Sequence, residues 1–106
     1  MARIIAIAPD LMFASRIEAT LTAAGHEVDL AATLAEADVD RADLIVADLD
    51  HEDPEAIAKL GGSVLGFYSH VNVETRERAG AAGVDLVVPR SRMAREMPEL
   101  VERLLG

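Results

Sequence analysis

Residues 43–48, Asp43-Leu-Ile-Val-Ala-Asp48, decide how the rest of this chain is read. Four apolar residues between two acids are too few for an amphipathic helix. The β-branched Ile45 and Val46 favour a short, fully buried strand. In an open parallel sheet, binding and chemistry collect in the crevice beyond the carboxyl ends of the strands. Asp48 is expected to stand at that edge.

Strand-like and helix-like segments alternate on either side of this stretch. Arg3–Ala8 reads as a first strand, broken by Pro9-Asp10, with Asp10 placed to cap a helix. Phe13, Ile17, Leu21 and Ala24 recur at helical spacing, and Gly25 stands where a helix-ending glycine belongs. Glu27–Ala31 is a weaker second strand. Thr33-Leu-Ala-Glu36 fits the capping box of a short second helix. After the third strand, Asp53-Pro54 opens a third helix, which Gly61-Gly62 closes. Val64–Tyr68 is a fourth strand. Asn72 is placed to cap a fourth helix ending at Gly83, and Val84–Val88 is a fifth strand stopped by Pro89. The last helix is expected from about Pro98 to Leu105, with a short turn before it, because Met97 precedes a proline and tends to leave helical geometry.

Strict alternation implies an α/β fold with helices on both faces of a parallel sheet. Right-handed crossovers leave few topologies, and the flavodoxin-like doubly wound order 2-1-3-4-5 is expected at this length. Its core should include Ile5, Ile7, Leu44, Val46, Leu65, Phe67, Leu86 and Val88. A chain of 106 residues fits one domain, spanning 1–106.

Nineteen acids against ten bases give a net charge of −9, which leaves no basic stripe for nucleic acid. The absence of cysteine removes disulfides, thiolate metal sites and a cysteine nucleophile. No apolar run is long enough to span a membrane, and the first residues lack a signal-peptide layout. A cytoplasmic protein without membrane or nucleic-acid contact is therefore expected. No glycine-rich phosphate loop follows the first strand, and no nucleophile–base–orienter set is recognisable. Neither an enzyme nor a cofactor is expected.

Four segments together resemble the receiver domains of bacterial response regulators. Arg3-Ile-Ile-Ala-Ile resembles their first strand, Ala24-Gly-His-Glu-Val28 the turn into strand two, Asp43–Asp48 the strand bearing the phosphoacceptor, and Ala82-Gly-Val-Asp85 the turn before strand five. The resemblance implies Asp48 as the phosphoacceptor candidate. It further implies two acids after strand one to bind magnesium, a hydroxyl after strand four and a lysine after strand five. Here the acid pair falls on Ala8 and Pro9, and Asp10 comes one residue late. The hydroxyl position falls on Ser69 or, without a gap, on Tyr68. The lysine position falls on Arg90 or Pro89. The stretch between Asp48 and Ser69 is also shorter than in a typical receiver. These departures are those of a pseudo-receiver, which acts through protein contacts.

Other roles are open to the same residues. Asp10 is expected as a helix cap, and Ser69 and His70 as turn residues at a binding edge. Arg90 and Arg92 can meet solvent, an anion or Asp48. His51 and His70 with Asp48 and Asp50 match no standard metal spacing, and His26 is expected on the surface. Three functions follow: a stand-alone pseudo-receiver, a working receiver phosphorylated on Asp48, and a small-ligand module using Asp10, Asp48, Ser69, His70 and Arg90. In the first two, output comes from a partner protein. The resemblance places contacts on the fourth helix, fifth strand and last helix, where Leu100, Val101, Leu104 and Leu105 suggest a weak homodimer or a protein partner.

Overall fold

The computed structural model describes residues 2–60, 62–69 and 73–106. In chain order these form β1 (Arg3–Ile7), α1 (Leu11–Ala23), β2 (Glu27–Ala31), a single 3-10 turn (Leu34–Glu36), β3 (Leu44–Asp48), α2 (Pro54–Ala58), β4 (Ser63–Tyr68), α3 (Val73–Ala82), β5 (Leu86–Pro89) and α4 (Arg90–Leu105). The strands build one sheet in the order β2-β1-β3-β4-β5, and every pairing is parallel. This is the expected flavodoxin-like order. Asn72, Gly61 and His70, each given a role by the sequence, lie outside the described residues.

Residues two apart in a strand share a face, so each central strand feeds two cores. On one face Ile4, Ala6, Leu44, Val46, Leu65 and Phe67 pack with α1 and α4. On the other, Ile5, Ile7, Ile45, Ala47 and Val64 meet Ile57 of α2 and Ala79 of α3. Every position of β3 is buried, Asp48 included. Of the expected core, only Leu86 is half-buried, packed on the margin of the first cluster.

Helix ends follow their local chemistry. Asp10 Oδ1 accepts from the amides of Met12 (3.0 Å) and Phe13 (3.2 Å), the N-cap expected of it. At the other end Gly25 adopts φ +96°, while His26 N donates to Leu21 O and Gly25 N to Thr22 O. That paired closure is a Schellman motif, and the positive φ is why glycine stands there. Ala24 is the exposed C-cap and adds nothing to the core face, contrary to its helical spacing.

Two further expectations are corrected. The second helix shrinks to the 3-10 turn, and Thr33 makes no side-chain cap bond. The sheet surface there carries Arg3 paired with Asp29 (3.0 Å) and Glu27 (3.7 Å), and Leu34, Ala37 and Val39 pack half-buried on the second core beside it without forming a longer helix. The segment Arg90–Leu105 is two helices joined across a kink at Glu96 (φ −120°, ψ 20°), one residue before the expected break at Met97. The helix expected from Pro98 is present, and a helix from Arg90 stands where a short turn was expected. Pro98 has no N–H to give Ala94 O, its partner four residues back. Arg16 Nη2 of α1 reaches that carbonyl instead, at 3.5 Å.

The four apolar residues at the end of α4 are used inside the fold. Leu100 and Val101 are buried, and Leu104 and Leu105 pack half-buried on the first core. Among the described residues, no helix is long and apolar enough to cross a membrane.

Candidate functional site

Asp48 ends β3 at the carboxyl edge of the sheet, and its side chain is 1% exposed. A buried carboxylate is costly unless its oxygens are satisfied. Both are. Oδ1 accepts from the Asp50 amide at 2.9 Å, and Oδ2 is 2.9 Å from His51 Nδ1. The Asp48 carbonyl also accepts from the amides of His51 (3.3 Å) and Glu52 (3.0 Å). The strand thus runs into a tight turn closed on its own last residue, the local bonding that Asp side chains favour.

The turn is fastened to β4. Leu49 N donates to Phe67 O at 2.8 Å, and Asp50 Oδ2 accepts from Ser69 N at 2.6 Å. Leu49 is buried over Gly66, where an added Cβ would stand 2.5 Å from its Cδ1. Glycine at position 66 is therefore favoured by close approach, not by backbone angle, since an added methyl would force the Leu49 side chain to shift. Arg78 of α3 clasps Asp53 and Glu55 of α2 at 3.1 and 2.7 Å. Its guanidinium, with a further contribution from Asp53, brings the Glu55 carboxyl down from 4.5 to about 2.

Arg90 organises the neighbouring strand ends. Its Nη2 pairs closely with Asp10 Oδ2, its Nη1 lies 3.5 Å from Ser69 Oγ, and its guanidinium sits 4.2 Å from the centroid of the Phe13 ring. Phe13 in turn meets Phe67 edge to face at 5.1 Å. The hydrogen bond from Arg90, and then that from the Phe13 amide, hold the Asp10 carboxyl below its ordinary value. Asp10, Ser69 and Arg90 are therefore together, whereas the carboxylate that Arg90 meets is that of Asp10, not Asp48. Ser69 joins this group to the Asp48 turn through Asp50. Of the two residues at the expected acid positions, Ala8 is buried and Pro9 exposed.

The sequence reading missed the partners of Asp48. The signal was present in Asp48-Leu-Asp50, because an Asp two residues before a turn amide is the spacing of such a loop. The stacking of Arg90 on Phe13 had no sequence signal, since the two are far apart along the chain. Among the described residues no three His, Asp or Glu side chains gather as a metal site. A groove of about 550 Å³ lies at the opposite, amino end of the strands, beside His26, Asp43 and Glu102. His26 is not a surface residue there. Its side chain is 7% exposed, with Nδ1 accepting from the Ala2 amide and Nε2 bonded to Glu102.

No protein-family model matches the sequence, and neither does any curated protein. Solved structures do resemble it. The chemotaxis protein CheY4 of Vibrio cholerae shares 21% identity, covering 99% of each chain at a TM-score of 0.83. A CheY-like receiver domain protein from Methanospirillum hungatei shares 22%, over 99% of this chain and 94% of that one, at 0.87. An orphan response regulator of H. pylori shares 18%, over 99% and 97%, also at 0.87. At these identities the likeness is one of fold, and the chain has the receiver fold.

Proposed function

We propose that this chain is a pseudo-receiver, a signalling domain that works by protein–protein contact and not by phosphotransfer. The observation that carries this reading is the state of Asp48, buried with both carboxylate oxygens bonded inside its own turn. A nucleophile needs a free oxygen in reach of its substrate. Here the approach is closed by the loop that the carboxylate itself holds.

The residues present do not fit the magnesium ion of working receivers. A hard cation needs oxygen ligands, and Ala8 and Pro9 offer no side-chain oxygen. Asp10 has one oxygen on the α1 amides and the other on Arg90. Recruiting it would break a helix cap and an ion pair together. Among the described residues Arg90 is the cation in place for an anion, and its charge is already met by Asp10. These facts weigh against Asp48 as phosphoacceptor and against an anion-binding edge at Asp10, Ser69 and Arg90. His70 stays part of that candidate edge from the sequence alone.

The reading is tested with beryllofluoride, a mimic of an aspartyl phosphate. Amide spectra of the chain with magnesium and beryllofluoride should match those without. Shifts centred on Asp48, Ser69 and Arg90, abolished in Asp48→Asn, would establish the working-receiver alternative instead.

A further inference from the structure

β2 is the outer strand of the order β2-β1-β3-β4-β5, so one of its hydrogen-bonding sides has no neighbouring strand. Its bonds to β1 run through the Glu27 amide, which donates to Ala2 O, and the Ala31 carbonyl, which accepts from Ala8 N. Hydrogen-bonding direction alternates along a strand, so the N–H and C=O groups of Val28 and Leu30 point outward. Leu30 is 39% exposed beside them. Proteins usually blunt such an edge, and a helix or loop is one means. Here the 3-10 turn lies beside a groove of about 250 Å³ that reaches Asp29, Leu30 and Ala31.

The rim of this edge is acidic. Glu27, Asp29, Glu36, Asp38 and Asp40 are all exposed, and the cations among them are Arg3 and Arg41. Arg3 is committed to Glu27 and Asp29. Glu36, Asp38 and Asp40 are left facing solvent. A second copy of β2 would set Glu27 and Asp29 against like charges, which opposes self-pairing. A strand with basic side chains meets the opposite condition.

We infer that β2 is a docking edge for an extended, Lys- or Arg-rich segment of a partner protein. The segment adds as a sixth strand, bonding to the outward groups of Val28 and Leu30. Its basic side chains face Glu36, Asp38 and Asp40, and an apolar one covers Leu30. Main-chain pairing supplies affinity and the acidic rim supplies selection, as in other strand-addition complexes. This surface lies away from the α3–β5–α4 face and does not depend on whether Asp48 is ever phosphorylated.

The test uses amide spectra of the whole chain titrated with a capped alternating Lys-Val peptide about ten residues long, the upper range of natural strands. Shifts confined to residues 27–41, weakening with salt, are expected. The matching Glu-Val peptide should leave the spectrum unchanged. Glu36→Lys with Asp38→Lys should weaken binding roughly tenfold, the effect of two rim charges reversed. Leu30→Pro removes one outward N–H and spares the bonds to β1, so it should weaken binding while leaving other amides in place. Equal response to both peptides, shifts centred on residues 48–53, or undiminished binding by both variants would overturn the proposal. Salt-sensitive self-association of the chain through β2 would overturn it in favour of a second copy. If Leu30→Pro fails to fold, the double Lys variant alone decides.

Discussion

Asp48→Ala separates a structural carboxylate from a reactive one. The substitution removes the acceptor of the Asp50 amide and the partner of His51, both at 2.9 Å. Hydrogen bonds to a charged group contribute about 1.5–3 kcal/mol each when desolvated. The His51 side chain is 59% exposed, so its share is discounted to about 0.5–1 kcal/mol. Relief of the buried charge offsets part of the sum, and the expected loss is about 2–3 kcal/mol. For a chain of 106 residues that lowers Tm by roughly 10 °C. In urea the midpoint should fall by about 2 M at unchanged slope. Asp48→Asn keeps one acceptor oxygen for the Asp50 amide and should cost about 1 kcal/mol. A carboxylate kept ready for chemistry behaves oppositely, because functional groups are commonly held at the expense of stability. Asp48→Ala within about 0.5 kcal/mol of the parent, or more stable than it, would refute the reasoning.

Gly66→Ala places a methyl group into Leu49 and should destabilise by about 1–3 kcal/mol, read by urea unfolding, with amide shifts spreading from Leu49 to His51. Arg90→Gln loses the stacking on Phe13, about 0.5–1 kcal/mol, and a thermal melt should show the decrease. The carboxyls of Asp10, Glu55 and Glu96 are all held low, chiefly by Arg90, Arg78 and Arg95 in turn. Their folded values lie below the unfolded ones, so their stabilisation is present above the ordinary carboxylate range and is lost as pH falls through the folded values. For Glu55 that window runs from 4.5 down to about 2. Unfolding midpoints measured across this window should fall with pH, and Arg78→Ala should flatten the slope.

The backbone plan was legible because period-2 and period-3.6 patterns report directly on burial. Asp43–Asp48 announced a strand buried on both faces, and Gly25 and Gly83 marked helix ends whose positive φ values suit glycine. The second helix misled because a capping box describes only how a helix would start. Whether it persists depends on how much apolar surface it covers, and beside the half-buried Leu34, Ala37 and Val39 the sheet carries the charged Arg3, Glu27 and Asp29. The apolar end of α4 misled for a related reason. Its bend at Glu96 is set by Pro98, and the run beyond it is absorbed by the core. At the site, Asp10 was legible as a cap because that bond is local. The pairing of Arg90 with Asp10 joins residues from opposite ends of the chain, and only the strand order brings them together.

The central claim is that Asp48 is a structural carboxylate closed to phosphoryl donors. It is tested most directly by intact-mass analysis after incubation with acetyl phosphate or phosphoramidate and magnesium. The account predicts no phosphoryl adduct on the parent chain under conditions that fully modify a working receiver. A phosphoryl adduct on the parent chain that disappears in Asp48→Asn would contradict it.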